Sequence, residues 1–166
     1  MGKDYILEFY NQHSRDIYLY LLSLCHDTHI AEDLVQETFV KAMLSLDVSH
    51  NNVKGWLFRV AKNLWIDYLR KNKYSSDMDI NNINIQDSSQ DIINKLIKNE
   101  ESAQLYKKIM TLNTSMREVI TLYYFLGVDQ KQIAGLMNIS NGAVRTLLYR
   151  ARKILKEKIE EGYGEI

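Results

Sequence analysis

Gln130-Lys131-Gln132-Ile133-Ala134-Gly135-Leu136-Met137-Asn138-Ile139-Ser140-Asn141-Gly142-Ala143-Val144-Arg145-Thr146-Leu147-Leu148-Tyr149-Arg150-Ala151-Arg152-Lys153 is the stretch on which the fold turns. Apolar residues at helical spacing predict a short helix over 130–137 and a longer one running to about Glu161, with a polar turn at Asn138 to Asn141 between them. Short helix, tight turn and longer helix form the helix-turn-helix outline. Ser140 stands where it can cap the second helix, and Val144, Leu148 and Ala151 fall on one side of it, the side expected to pack inward.

Working outward toward the N-terminus, Gly127 ends an apolar helix carrying Val119, Ile120, Leu122, Tyr123 and Leu126. Asn113-Thr114-Ser115 with Glu118 predicts its start, of capping-box type. Helical periodicity also covers Asp91 to Met110. Before it, Tyr74 to Ser89 is rich in Ser, Asp and Asn with no sustained period, so it reads as a linker. An amphipathic helix is expected from about Lys54 to Lys71, and the polar run Asp47 to Asn52 precedes it as a loop. Earlier still, Asp27 and Thr28 are candidate N-caps for a helix with Glu32 and Asp33 in its first turn. Its apolar stripe is Leu34, Val35, Phe39, Ala42, Met43 and Leu46. Ile6 to Leu24 forms one or two helices, with Asn11-Gln12-His13 as a possible break. No strand-like alternation is long enough to count. The expected fold is therefore all-α, with two small helical domains, 1–73 and 90–166, joined by a linker at 74–89.

At 166 residues the chain is long enough for one ordinary domain or two very small ones. Lys plus Arg equals Asp plus Glu at 21 each, so only the distribution of charge is informative. From Lys54 to Lys73, six basic residues face Asp67 alone, and from Gly142 to Lys158 six face Glu157 alone. Both segments interleave polar and aromatic residues with the cations: Trp56, Asn63, Trp65 and Tyr68 in the first, Asn141, Thr146 and Tyr149 in the second. That mixture suits phosphate contacts combined with base contacts or stacking. The helix after Asp27 has the opposite sign. Asp33, Gln36 and Glu37 share one of its faces, which suits a protein partner or an ordinary solvated surface.

These residues together resemble the extracytoplasmic-function class of sigma factors, the promoter-specificity subunits of bacterial RNA polymerase. Ala31-Glu32-Asp33-Leu34-Val35-Gln36-Glu37-Thr38-Phe39 is similar to the family helix that docks on the clamp helices of the polymerase largest subunit. The resemblance implies Glu32, Asp33, Gln36 and Glu37 as core-polymerase contacts. Trp56-Leu57-Phe58-Arg59-Val60-Ala61-Lys62-Asn63, continuing through Asp67-Tyr68-Leu69-Arg70-Lys71, resembles the helix that approaches the melted minus-10 element. There the resemblance implies a base-capturing loop with Ser49, His50, Asn51 and Asn52, and helix contacts from Lys54, Trp56, Arg59, Lys62 and Asn63. The terminal helix-turn-helix is similar to the one that reads the minus-35 element, implying Ser140, Asn141, Arg145, Thr146, Tyr149, Arg152 and Lys153. The chain departs from the family pattern at Ala143, Thr146 and Leu147, where Thr, Ser and Arg are usual, and at Asn113, where proline is usual. The family also implies core polymerase and promoter DNA as partners, and an anti-sigma factor that holds the protein inactive.

Other signals point to no chemistry. Cys25, His26 and His29 lie close in sequence, but adjacent Cys and His point to different helix faces and no fourth ligand is evident. No catalytic residue, metal or cofactor is expected, because no nucleophile carries a base and an orienter. With one cysteine, no signal peptide and no long apolar span, the expected location is the cytoplasm, with no membrane insertion. Two other functions compete: a stand-alone helix-turn-helix regulator of duplex operators, and a nucleic-acid enzyme, which lacks any carboxylate cluster.

Overall fold

The computed structural model describes residues 3–45, 52–72 and 87–164; among these there is no strand. The chain divides into two compact units, Met1–Ile83 and Asn84–Ile166. The first holds α1 (Lys3–Cys25), α2 (Thr28–Ser45) and α3 (Val53–Lys71). The second holds α4 (Asp87–Leu96), α5 (Glu100–Ile109), α6 (Thr114–Ile120), α7 (Gln130–Met137) and α8 (Asn141–Gly164). Helix α4 opens at Asp87, before the expected linker end at Ser89. No helix among the described residues is long and apolar enough to cross a membrane.

In the first unit α1 runs unbroken through Asn11-Gln12-His13. Phe9 and Tyr10 hold it there, with ring centroids 5.9 and 4.9 Å from that of Phe39 on α2. From Ile17 to Cys25 every residue is buried, the pattern of a helix enclosed on all sides rather than amphipathic. The chain leaves α1 through His26, whose N–H still donates to Leu22 O at 3.0 Å and whose φ of 58° turns the following residues out of the helix. Of the two candidate caps, Asp27 acts: its Oδ1 accepts from His29 N and Ile30 N at 2.9 and 3.1 Å. The first turn is therefore Thr28 to Ala31, and Glu32 and Asp33 stand in the second turn, not in the first as expected. Asn52 caps α3 by accepting from Gly55 N at 3.0 Å. A Cβ on Gly55 would lie 2.6 Å from the Asn52 carboxamide, so glycine leaves room for the cap. Tyr20 and Phe58 meet edge to face at 5.2 Å, packing α1 on α3.

In the second unit the periodic run 91–110 is two helices. Asn99 interrupts it by accepting from Ser102 N at 3.0 Å and starting α5 afresh. Glu100 and Glu101 then lie at the positive end of α5, and Lys107 and Lys108 at its negative end. Asn113 caps α6 through Met116 N at 3.0 Å, so the residue three past the cap is Met116 and no capping box forms. Arg117 is 1% exposed. Its guanidinium donates to Leu112 O at 2.9 Å and lies 3.5 Å from Thr114 Oγ1, tying the α5–α6 turn to the core. Helix α6 widens into a π-helical turn over Thr121–Phe125, where Leu126 N reaches back to Thr121 O at 3.1 Å. Gly127, at φ 67°, then reverses the chain.

Asp129 caps α7 through Gln132 N at 2.8 Å. At the turn of the helix-turn-helix, Asn138 adopts the left-handed conformation, φ 56° and ψ 48°. Its N–H and that of Ile139 both turn back to Ala134 O, which closes α7. Asparagine is among the few non-glycine residues that adopt this backbone readily, because its short polar side chain can hydrogen-bond locally. Asn138→Gly should leave the urea unfolding midpoint of the full chain nearly unchanged, whereas Asn138→Val should destabilise it by about 1–2 kcal/mol. Arg117→Met should cost about 1–3 kcal/mol in the same measurement by leaving the buried Leu112 carbonyl without its donor.

Candidate functional site

Three helix faces carry the candidate residues, each set by what its helix buries. On α2 the buried residues are Ala31, Leu34, Val35, Thr38, Phe39 and Ala42. Glu32, Asp33, Gln36 and Glu37 are all exposed on the other side. That exposed surface continues toward the C-terminal end as Val40, Met43 and Leu44, which are 55%, 56% and 82% exposed. Met43, expected in the core stripe, is outside because Ala42 occupies the inward position at 0% exposure. The acidic face thus runs into an apolar patch that periodicity did not disclose.

On α3, Leu57, Phe58, Ala61, Leu64 and Trp65 are buried. Arg59, Asn63, Ile66 and Arg70 are exposed in a line, at spacings of four, three and four residues. Trp56 and Lys62 are half-buried beside that line. Trp65 stacks on Tyr68 with centroids 5.7 Å apart and 13° between planes, so this aromatic pair stiffens the helix from within. Arg70 pairs with Asp67 one turn back. Lys54 points to α1, its Nζ 3.0 Å from Asp16 Oδ2, and so is drawn away from the exposed line. The carboxamide oxygen of Asn52 is engaged as the cap of α3, leaving its Nδ2 as the group it can offer outward. Ser49, His50 and Asn51 lie outside the described residues.

On α8, Val144, Leu148, Ala151 and Leu155 are buried, at no more than 7% exposure. Ser140 caps the helix, its Oγ accepting from Ala143 N at 3.1 Å. Asn141, Arg145 and Tyr149 are exposed at successive four-residue intervals, with Tyr149 at 66%. Thr146 donates to Gly142 O at 3.0 Å, which satisfies its hydroxyl proton within the helix. Lys153 is exposed, and Leu147 is half-buried. Arg152 lies over the π-helical turn, its guanidinium 5.3 Å from the Tyr124 ring centroid and 6.0 Å from that of Tyr123. It also borders an apolar cavity of about 450 Å³ with Ile109, Ile120 and Leu155. Arg152 is exposed and is shared between the basic helix and the surface of the π-helical turn, a position its sequence spacing did not reveal.

Among the described residues no group of three His, Cys, Asp or Glu side chains is placed to hold a metal. Cys25 and His26 are buried while His29 is exposed, and the Cys25 thiol lies 3.3 Å from Asp27 O. The α3 and α8 faces can attract phosphate and offer amide, guanidinium and phenol groups to bases. The α2 face would repel phosphate.

Residues 9–74 match the Sigma-70 region 2 family and residues 102–155 the Sigma-70, region 4 family. The chain is 36% identical over 168 residues to the ECF RNA polymerase sigma factor SigM of Bacillus subtilis, covering 95% of this chain and 97% of that one. It is 30% identical to SigW of the same organism over 156 residues, 87% of this chain and 83% of the relative. In fold it is similar to the sigma factor RpoE of Bartonella quintana, solved in complex with the anti-sigma factor NepR. The TM-score is 0.71 at 23% identity, over 96% of this chain and 98% of that one. With both regions present in order and 36% identity to SigM across 95% of its length, the chain belongs to the extracytoplasmic-function class of RNA polymerase sigma factors, which direct core polymerase to promoters.

Proposed function

We propose a division of labour in which residues 1–73 bind core polymerase and the opened minus-10 strand, residues 90–166 read the minus-35 duplex, and 74–89 link them. The observation that carries this reading is the contrast between exposed faces. Helix α2 turns Glu32, Asp33, Gln36 and Glu37 outward, whereas α3 and α8 turn out arginine, lysine and asparagine. In this reading the α2 face meets basic residues of the polymerase clamp helices. Val40, Met43 and Leu44 extend it, since an apolar centre with a charged margin is the usual anatomy of a protein interface.

For the minus-10 element, the loop ending at Asn52 takes up one extruded base, with Ser49, His50, Asn51 and Asn52 as its polar groups. Extrusion costs a few kcal/mol, which a polar pocket beside a basic helix offsets. Arg59, Lys62 and Asn63 then follow the strand, Trp56 supports them, and Lys54 reaches phosphate only in exchange for Asp16. For the minus-35 element, the Ser140-capped end of α8 enters the major groove. Asn141, Arg145 and Tyr149 reach base edges, Arg152 and Lys153 reach the backbone, and Thr146, its hydroxyl proton held by Gly142 O, offers its methyl group to the groove. Leu147, where the family usually carries arginine, removes one polar contact and shifts the preferred sequence.

The chain itself catalyses nothing and acts in the cytoplasm. An anti-sigma factor is its further partner; support comes from two neighbours of the same fold solved in complexes, RpoE with the anti-sigma factor NepR and CnrH with the cytosolic domain of CnrY.

Run-off transcription with core polymerase on a library of upstream sequences tests the reading, and addition of the chain should create new start sites. Asp33→Lys combined with Glu37→Lys should weaken core binding by at least about thirtyfold, as opposed charges become like charges across the contact. Arg145→Ala should lower promoter use by about 1–3 kcal/mol, roughly fivefold to 150-fold, with core affinity unchanged. Loss of core binding in this second variant would contradict the assignment.

A further inference from the structure

The chain carries one cysteine and six methionines. Among the described residues Cys25, Met110 and Met116 are buried, and Met137 is half-buried. The Cys25 thiol is also engaged, donating to Asp27 O at 3.3 Å. Met43 is the sulfur that stands in the open, at 56% exposure against 2% for Met110 and 9% for Met116. It does so within an apolar surface. Val40, Met43 and Leu44 lie three and four residues apart, hence on one face of α2, and continue the line that runs through Asp33 and Gln36. Exposed Tyr10 of α1 borders the same end of the helix, its ring centroid 4.9 Å from that of Phe39. The core does not need Met43, because Phe39 and Ala42 already fill the inward positions. A flexible, polarisable thioether suits an apolar contact of irregular shape. Unlike Val40 and Leu44, which can pack as well, it also carries a reactive lone pair.

We propose that Met43 is an oxidant-sensitive contact, a modification site where hypohalous acid converts the thioether to the sulfoxide and thereby weakens the docking of α2 on core polymerase. The inference rests on the assignment of α2 to core polymerase made above. In the step, a sulfur lone pair attacks the chlorine of hypochlorous acid and hydroxide leaves. Water then adds to sulfur as chloride departs and two protons are lost. Sulfur gives up two electrons and chlorine takes them, so the net products are sulfoxide, chloride and one proton. Exposure decides which sulfur reacts first, and it selects Met43 over the buried ones. The consequence follows from polarity. Sulfoxide oxygen is a strong hydrogen-bond acceptor, and between Val40 and Leu44 it loses its water when the surface is covered. The change is reversible, because methionine sulfoxide reductases return both epimers to the thioether. The free chain is the reactive form, since docking covers the sulfur.

The test treats the full chain with an equimolar amount of hypochlorous acid, alone and after assembly with core polymerase, and locates the added oxygen by peptide mass spectrometry. In the free chain it should appear at Met43 before Met137, and assembly should protect Met43. The oxidised chain should bind core polymerase about tenfold more weakly, equivalent to about 1.4 kcal/mol. Its helical circular dichroism should match that of the parent, because Met43 lies outside the core, and the two reductases together should restore its affinity. Met43→Gln should weaken core binding without any oxidant. Whatever affinity Met43→Leu starts from, oxidant should alter it by less than about twofold, which assigns the loss in the parent to this sulfur. Oxygen at Met43 with core affinity unchanged, an equal loss in the leucine variant and the parent, or loss of helix on oxidation would overturn the proposal. Core binding as strong as the parent's in the chain carrying Asp33→Lys and Glu37→Lys would instead remove the underlying reading of α2.

Discussion

Every outward feature of this protein depends on which face of a helix its unit buries. Along α8 the stripe Val144, Leu148, Ala151 and Leu155 is almost inaccessible. Burying each large apolar side chain is worth roughly 1.5–3 kcal/mol, whereas an exposed charge contributes about 0–1 kcal/mol wherever it points. The stripe therefore decides the rotation of the helix about its axis, and Arg145 and Tyr149 accept the direction left to them. Helix α2 is set in the same way by Leu34, Val35 and Phe39, and α3 by Leu57, Phe58, Ala61 and Leu64. The residues that orient the functional faces are thus ones no partner touches.

The same reasoning explains what could be read from the chain alone. Helical periodicity located α2, α3, α7 and α8, and the buried side of α8 followed from it, because that stripe is regular. The readings that failed concern local choices between near-equivalent residues. Ala42 and Met43 are adjacent and both apolar, and only packing space decides that the smaller goes inward. Asn113 and Ser115 can each cap a helix, and the difference lies in backbone geometry. The run 91–110 is rich in apolar residues on both sides of Asn99, and the capping bond at Ser102 marks where the second helix begins. Arg117 looks like any surface arginine until Leu112 O turns toward it. The pairing of Lys54 with Asp16, more than thirty residues away in sequence, needs α1 and α3 to be packed before it exists.

Charge is where the whole-chain number misleads most. Equal counts of acid and base give no net charge, yet the signs are sorted by helix, so the chain presents separate local fields. Such fields fade over roughly 10 Å at ordinary ionic strength, which makes neighbouring residues, not the total, the relevant quantity. Arg70 illustrates the consequence. Its bond to Asp67 balances its charge locally, and a phosphate must compete with that carboxylate before it gains the guanidinium.

The π-helical turn at Thr121–Phe125 has a bearing on how this chain can change over evolution. An α-helix turns about 100° per residue, so removing or adding one residue here swings everything beyond it by that angle unless the wide turn absorbs the change. Tyr124 lies on this turn beneath Arg152, and the start of α7 follows a few residues later. Substitutions in the segment alter packing by degrees, but a single-residue insertion or deletion would re-aim the helix-turn-helix that follows. The number of residues between Ile120 and Gly127 is therefore constrained by geometry, more tightly than the identity of most side chains within it.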